Sequence, residues 1–344
     1  MKISVIIPVY NAADYVREAV ESALAQPETS EVLLVEDGSQ DNSLAVCEQL
    51  AREYDRVHLL RHPNGENRGA GASRNLGIVN ACSDVIAFLD ADDYYLPGRF
   101  TVAAEILQAD PHIDGVYETL GMHYMDQAAR EAWRWRSPEA FERGLEGPKR
   151  VVAPDQLLDA MLDEDFGGFS GNGIVVRRAA LERVGLYTLG RLEDTAMCFQ
   201  LAALATMVPG RLNEPVAMYR IYGNNRTITA EETPLLTVRR YCAMWKTLWL
   251  WSLAYLDRQR ARQFFEKYSL HLYKSYRQQR LARFKALTGL AMARPLSVLR
   301  QGYFLKAYSL SMPGIGLLIG WVAQRTHQIR HSPGKIVSPP PDQP

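Results

Sequence analysis

Apolar positions follow two rhythms over the first ninety or so residues. "KISVIIPVY" (2–10) is almost unbroken in β-branched side chains, which fits a strand buried on both faces of a parallel sheet. "ADYVREAVESALAQ" (13–26) switches period. Val16, Ala19, Val20, Ala23 and Leu24 fall on one helical face, with Asn11 or Asp14 placed to cap it. The alternation then repeats. "EVLLVED" (31–37) predicts a second strand, and a helix over 43–54 presents Leu44, Cys47 and Ala51. "VHLLRH" (57–62) predicts a third strand, and "AGASRNLGIVNAC" (70–82) a helix with Leu76 and Val79 inward. "DVIAFLD" (84–90) predicts a fourth strand. Strands and helices at this spacing imply an α/β domain, a mostly parallel sheet with helices on both faces. The turn after the first strand, "PVYNAADY", lacks Gly-x-Gly-x-x-Gly, which argues against a dinucleotide fold.

Past Asp93 the rhythm changes. "PGRFTVAAEILQA" (97–109) predicts a helix with Pro97 in its first turn. Residues 114–126 alternate as one strand, and 127–150 read as a polar surface insert. Its Trp133 and Trp135 either pack onto the domain or offer a flat stacking face to a ligand. Residues 167–185 predict a Gly-rich loop, a short strand and a short helix. "LGRLEDTAMCFQLAALA" (189–205) predicts an amphipathic helix opened by Glu193 and Asp194, with Met197, Leu201 and Leu204 inward. Residues 235–288 are helical in pattern and contain neither Gly nor Pro. The uncharged run Ala307–Gln324 is at the short limit for a membrane span and includes Pro313, so an interfacial or packed segment is the preferred reading.

Charge sharpens this division. The formal net charge is zero, yet residues 1–234 carry 21 Lys and Arg against 36 Asp and Glu, a net −15. Residues 235–335 carry 18 against 2, a net +16. Three regions follow: a domain over 1–230 (with parts 1–96 and 97–230), a basic, aromatic-rich helical region over 231–330, and a disordered tail over 331–344. Basic helices rich in Trp and Tyr suit an anionic membrane surface, the alternative being a bundle that closes the domain. They show neither a zinc nor a helix-turn-helix signature, so nucleic acid is not an expected partner. The four cysteines lack metal-ligand spacing and read as reduced, mostly buried thiols. The start of the chain has no signal-peptide pattern, so a cytoplasmic location is expected, peripheral on the inner face of the membrane if the basic region binds there.

Polar residues gather where the predicted strands end: Tyr10-Asn11, Asp37-Gly38-Ser39, Arg61-His62 and Asp90-Ala91-Asp92-Asp93. In an open α/β sheet that edge holds ligands. Asp90 and Asp92 point to the same side of an extended segment, and like charges this close call for a cation. Mg²⁺ or Mn²⁺ takes oxygen ligands and keeps positions for water and phosphate, which suggests a metal–diphosphate site.

Five ordered stretches carry a family resemblance: "SVIIPVYNAADYVREAVESALAQ", "EVLLVEDGSQDNS", "NRGAGASRNLGI", "FLDADDYYLPG" and "GRLEDTAMCFQLA". Together they resemble the family 2 glycosyltransferases, inverting enzymes of GT-A fold, over residues 3–226. The resemblance implies a nucleoside-diphosphate sugar donor, UDP-linked in the leading reading, and a saccharide or lipid-linked saccharide acceptor. It places Pro8, Tyr10 and Asn11 in the first nucleotide-binding turn and Asp37 against the uracil N–H. It places Asn67, Gly69 and Arg74 beside the nucleotide and diphosphate, Arg74 facing either phosphate or Asp90. Asp90 and Ala91 line the ribose and metal, Asp92 is the direct metal ligand, and Asp93 tunes the shell or caps the next turn. Ser170, Gly171 and Asn172 border the donor. Asp194 is the implied base, with Glu193 beside it. Arg220 or Arg226 reaches the diphosphate or serves as a surface anchor. Two departures stand out: Gln200 where the family often has Arg, and Tyr222 where many members have a histidine. The implied activity is sugar transfer (EC 2.4) in bacterial polysaccharide or glycolipid synthesis. The alternative is a non-catalytic carbohydrate-binding or scaffold protein with a degenerate site. Sequence leaves the oligomeric state open.

Overall fold

The structure is a computed structural model that describes residues 1–163, 166–188, 192–222 and 234–275. It divides into two compact units, Met1–Arg240 and Tyr241–Pro344.

The first unit is built on two sheets. Strands β1 (Ile3–Val9), β2 (Thr29–Glu36), β3 (Val57–Arg61), β4 (Val85–Phe88), β6 (Gly115–Tyr117), β9 (Ile174–Arg177) and β10 (Met207–Pro209) form a seven-stranded sheet in the order β10-β6-β9-β4-β1-β2-β3. Within it β9 alone runs antiparallel to its neighbours β4 and β6. Strands β5 (Tyr94–Tyr95), β7 (Leu120–Tyr124), β8 (Leu145–Glu146) and β11 (Ala217–Ile221) form a second sheet, β5-β11-β7-β8. Helices α1 (Val16–Leu24), α2 (Ser43–Glu53), α3 (Ala70–Asn80), α4 (Thr101–Ala109), α5 (Gln127–Arg136), α6 (Pro138–Arg143), α7 (Leu157–Leu162), α8 (Arg178–Val184) and α9 (Glu193–Leu204) complete the unit. A mostly parallel sheet with helices on both faces is the expected GT-A arrangement.

Strand periodicity explains the layering. Ile3, Val5, Ile7 and Val9 project into one core with Val16, Ala19, Val20 and Ala23 of α1 and Cys47 and Leu50 of α2. Each such fully buried branched side chain contributes about 1.5–3 kcal/mol. Ile6 points the other way, to α3. A Cβ added to Gly77 would lie 2.4 Å from Ile6 Cγ2, so only glycine lets α3 come this close to the sheet.

That close approach corrects one expectation. The inward face of α3 is Gly71, Ser73, Arg74, Gly77 and Ile78, while Leu76 is half-buried and Val79 is 66% exposed. Small residues, invisible to a count of apolar positions, carry the contact. Other expectations shift as well. Neither Asn11 nor Asp14 caps α1, whose first turn instead returns to the Ala12 carbonyl. Residues 97–100 form a turn through the left-handed Gly98 (φ 71°), and α4 begins only at Thr101. The single strand expected over 114–126 is two, one in each sheet. Between them the chain leaves the first sheet at the buried pair Glu118-Thr119, where Glu118 accepts from the buried Arg99 (2.6 Å) and the Thr119 N–H donates to the Arg211 carbonyl (3.1 Å). The polar insert holds α5, α6 and β8. Trp133 is buried beside Ile221 and Tyr219, whereas Trp135 is 86% exposed. Cys47 and Cys198 are buried thiols, and Cys82 is exposed.

The second unit shows the helical pattern directly. Helix α10 (Pro234–Tyr255) runs from the end of the first unit into the second, and α11 (Arg258–Ser275) follows it. Trp245, Trp249 and Trp251 pack against Phe264, Phe265 and Tyr268. No described helix is long and apolar enough to cross a membrane; residues 303–324 lie outside the described residues.

Candidate active site

The ends of β1 and β2 are stitched together. Asn11 adopts a left-handed conformation (φ 51°), its N–H donates to Ser39 Oγ (3.1 Å), and its Oδ1 accepts from the Gln40 N–H (2.7 Å). Asp41 accepts from the N–H groups of Ala13 (3.1 Å) and Ser43 (2.9 Å). Burial alone would raise its pKa, but these bonds with Ser43 and Ala13 win and lower it. Glu36 is buried, accepting from the Ser39 N–H (2.6 Å) and Arg61 Nε (2.9 Å). It braces the turn. Pro8 is half-buried and Tyr10 is 49% exposed.

Asp37 is buried, and both its oxygens accept backbone N–H groups, from Arg68 (2.7 Å) and Gly69 (2.9 Å). His62 Nε2 stands 3.6 Å from it and 3.1 Å from Ser73 Oγ. Gly69 (φ 86°) is the N-cap of α3, so the carboxylate sits at a helix N-terminus, where the dipole favours negative charge. The fit is close: a Cβ on Gly38 (φ 71°) would meet the Asn67 nitrogen at 2.9 Å. Asn67 itself is exposed.

One turn of α3 further on, Arg74 gathers the second set of carboxylates. Its guanidinium is buried and reaches Asp90 Oδ1 (2.6 Å), Asp194 Oδ1 (2.8 Å) and Glu193 Oε1 (3.8 Å). It also lies over the Tyr187 ring, 5.4 Å from the centroid. Burial works against its charge, but the Asp194 and Asp90 carboxylates outweigh that and raise its pKa further. Asn75 holds Tyr187 in place with two backbone bonds of 2.9 Å, one in each direction. Glu193 and Asp194 open α9 just past Leu192, a left-handed residue (φ 64°). Gly71 admits Glu193: a Cβ there would lie 3.0 Å from Glu193 Cγ. Gln200 is buried and donates to the Val184 carbonyl (3.3 Å), a bond within the helical layer.

The three aspartates of the 90–93 turn have different surroundings. Asp90 binds Arg74. Asp92 accepts from the Tyr222 hydroxyl (2.9 Å), and its carbonyl accepts from Arg220 Nη1 (2.8 Å). Asp93 is fully buried and accepts from Asn172 Nδ2 (2.5 Å) and the Arg220 N–H (2.8 Å). Ala91 is buried between them. Burial, then the Asp90 charge, raises the Asp92 pKa, although the Tyr222 bond opposes this. Burial, then Asp92 and Asp90, raises Asp93 well above the usual carboxylate range.

Sequence reasoning missed the group behind this turn. Arg220 is buried between Tyr15 and Tyr94, about equidistant from the two ring centroids (5.0 and 5.1 Å), and pairs with Glu18 (2.6 Å). Tyr222 stacks on Tyr15, with centroids 5.4 Å apart. Arg220 is therefore a buried brace with its own partners. Arg226 lies outside the described residues. The one signal available for the brace was the aromatic–basic run "MYRIY" aligned with nothing local.

Among the described residues no group of three His, Cys, Asp or Glu side chains is arranged to hold a metal ion. The donors present are still of the hard-oxygen kind. Mg²⁺ is commonly held by one or two carboxylates plus water and substrate phosphates. Asp92, with Asp90 beside it, fits a cation that arrives with a diphosphate rather than one caged by protein alone.

Comparisons with known proteins bear on the family and the fold. A family model described as glycosyl transferase family 2 matches residues 4–185. A glycosyltransferase of Nostoc sp. is 30% identical over 246 residues, 67% of this chain and 68% of its own length. The succinoglycan biosynthesis protein ExoU of Rhizobium meliloti is 43% identical over 97 residues, which are 28% of each chain. Among solved structures, S. aureus TarS 1-349 in complex with UDP-GlcNAc superposes with a TM-score of 0.57 at 19% identity, covering 94% of this chain and 88% of that one.

Proposed function

The chain belongs to glycosyl transferase family 2 and is a glycosyltransferase that uses a nucleotide-sugar donor, and we propose that it moves a sugar from a UDP-linked donor to a hydroxyl acceptor with inversion. One observation carries this reading: a single guanidinium, Arg74, touches both Asp90 and Asp194. In this reading the carboxylate of the diphosphate side and the carboxylate of the acceptor side are held together by one side chain.

In this reading Asp37 and the turn Pro8-Tyr10-Asn11 receive the nucleotide, and Asn67, Gly69 and Arg74 border it. Asp92, with Asp90 and Ala91 beside it, faces the diphosphate; a Mg²⁺ or Mn²⁺ there would neutralise the charge that develops on the leaving group. Asp194, oriented by Arg74, takes the proton of the acceptor hydroxyl as that oxygen attacks the donor C1. Glu193 lies farther from Arg74 and is buried, which suits support rather than proton transfer. The UDP donor is supported by the TarS complex of the same fold. A polysaccharide or glycolipid product is supported by the ExoU match. The catalytic domain spans 1–230 and the basic region follows from 231; residues 276–344, including the expected tail 331–344, lie outside the described residues. The basic region attaches peripherally to an anionic membrane: α10 exposes Leu250 and Leu253 beside the exposed Lys246.

Purified protein incubated with a panel of nucleotide sugars tests the donor. We expect hydrolysis or transfer from a UDP-sugar that EDTA abolishes and Mn²⁺ or Mg²⁺ restores. Full turnover in EDTA would overturn the cation assignment, and turnover confined to a GDP- or dTDP-sugar would overturn the UDP assignment.

A further inference from the structure

Asn172 was expected to border the donor, yet its side chain is buried and committed to the 90–93 turn. Its Oδ1 accepts from the Asp90 N–H (3.0 Å), and its Nδ2 donates to Asp93 Oδ2 (2.5 Å). One amide thus bridges the first and last residues of the turn that carries Asp92. The far side is held by Arg220, whose N–H takes Asp93 Oδ1 and whose Nη1 takes the Asp92 carbonyl. The Asn172 loop is fixed in turn from below: buried Arg99 donates to the carbonyls of Asn172 (3.1 Å) and Ile174 (3.3 Å) while pairing with Glu118. Asp93 has a hydrogen bond on each oxygen and faces inward, so it is a structural partner of the turn rather than a ligand.

We infer that Asn172 is a positioning residue that sets the aim of the Asp92 carboxylate, and with it the affinity for a divalent cation brought in with the diphosphate. The inference rests on the assignment of Asp92 to the cation. Partners behind metal ligands typically tune affinity by about 10–100-fold.

The bond pattern provides its own control. Asn172→Asp sets two carboxylates against each other. Exchanging the pair, Asp93→Asn with Asn172→Asp, keeps the net charge and restores every bond. Asp at 172 still accepts the Asp90 N–H and takes the new amide proton from 93, and Asn at 93 still accepts the Arg220 N–H. Asn172→Ala removes both bonds and adds no charge. For the wild type and all three variants, Mn²⁺ binding is titrated by electron paramagnetic resonance in saturating UDP. UDP affinity in EDTA and thermal unfolding are measured alongside. We expect Asn172→Asp and Asn172→Ala to weaken Mn²⁺ binding about 10–100-fold, to leave UDP affinity in EDTA unchanged, and the exchange to recover most of the loss. Wild-type Mn²⁺ affinity in either folded single variant would overturn the inference. So would a folded exchange variant that stays weak. Absence of Mn²⁺ binding by the wild type would instead overturn the assignment of Asp92, and the inference with it.

Discussion

Two carboxylate sites lie along α3, one at its N-terminus and one about a turn further on at Arg74, and they are held in different ways. At its N-terminus Asp37 is fixed by backbone N–H groups of Arg68 and Gly69, within a loop that follows soon after in sequence. At its middle and beyond, Asp90, Asp92, Asp93 and Asp194 are fixed largely by side chains: Arg74, Asn172, Arg220 and Tyr222. A backbone bond survives almost any substitution of the donor residue. A side-chain bond is lost with its residue, and a buried charge is then left alone. The proposed nucleotide end should therefore tolerate change, and the proposed diphosphate and acceptor end should not.

The largest effect should come from Asp194→Asn, which removes basicity but little volume. We expect kcat to fall about 10²–10⁴-fold with UDP affinity kept; steady-state kinetics beside UDP titration would show whether the two separate. Near-normal turnover would move the base to Glu193 or elsewhere. Next is Arg74→Met, which leaves the Asp90 and Asp194 carboxylates without their shared cation. A loss of about 1.5–3 kcal/mol in urea unfolding is expected, less than for a fully buried pair because Asp90 and Asp194 are about a third exposed. Arg74→Lys should recover only some of it, because an ammonium lacks the planar fork that reaches both partners. Gly77→Ala tests the element common to both ends. Its methyl would collide with Ile6, costing about 1–3 kcal/mol and disturbing nucleotide and cation binding together. The smallest effect should be Arg68→Ala. Only its backbone serves Asp37, so stability and UDP affinity should stay within about 0.5 kcal/mol. A large loss there would show that the contrast between the two ends is wrong.

The same contrast marks how far the sequence could be read. Strands and helices up to residue 90 follow from local periodicity, because each buried face is written within one element. The convergence of Asp37 and Asp90 on the carboxyl edge of the sheet followed from topology. The inward face of α3 did not, since Gly71 and Gly77 make contact by lacking a side chain. Nor did the brace at Arg220, whose partners Glu18, Tyr15 and Tyr94 are more than a hundred residues away. The expected strand over 114–126 failed for a related reason: Glu118 is buried as an ion pair with Arg99, and pattern reading scores it as solvent-facing. Arg74 was narrowed to phosphate or Asp90, and the fold adds Asp194, which only tertiary structure brings within reach.

The packing of Trp245, Trp249 and Trp251 in the α10–α11 pair has an optical consequence. Of the six tryptophans none precedes residue 133, so residues 1–132 are dark in tryptophan emission. Fluorescence-monitored denaturation would follow the C-terminal hairpin together with Trp133, Trp135 and Trp321, whereas far-ultraviolet circular dichroism weighs the whole chain. Coincident curves would mean that both units melt as one cooperative body, and separated curves that the hairpin has its own transition. By the same token, a tryptophan placed at Tyr10, exposed on the first turn, would give the dark half a reporter of its own, read against UDP.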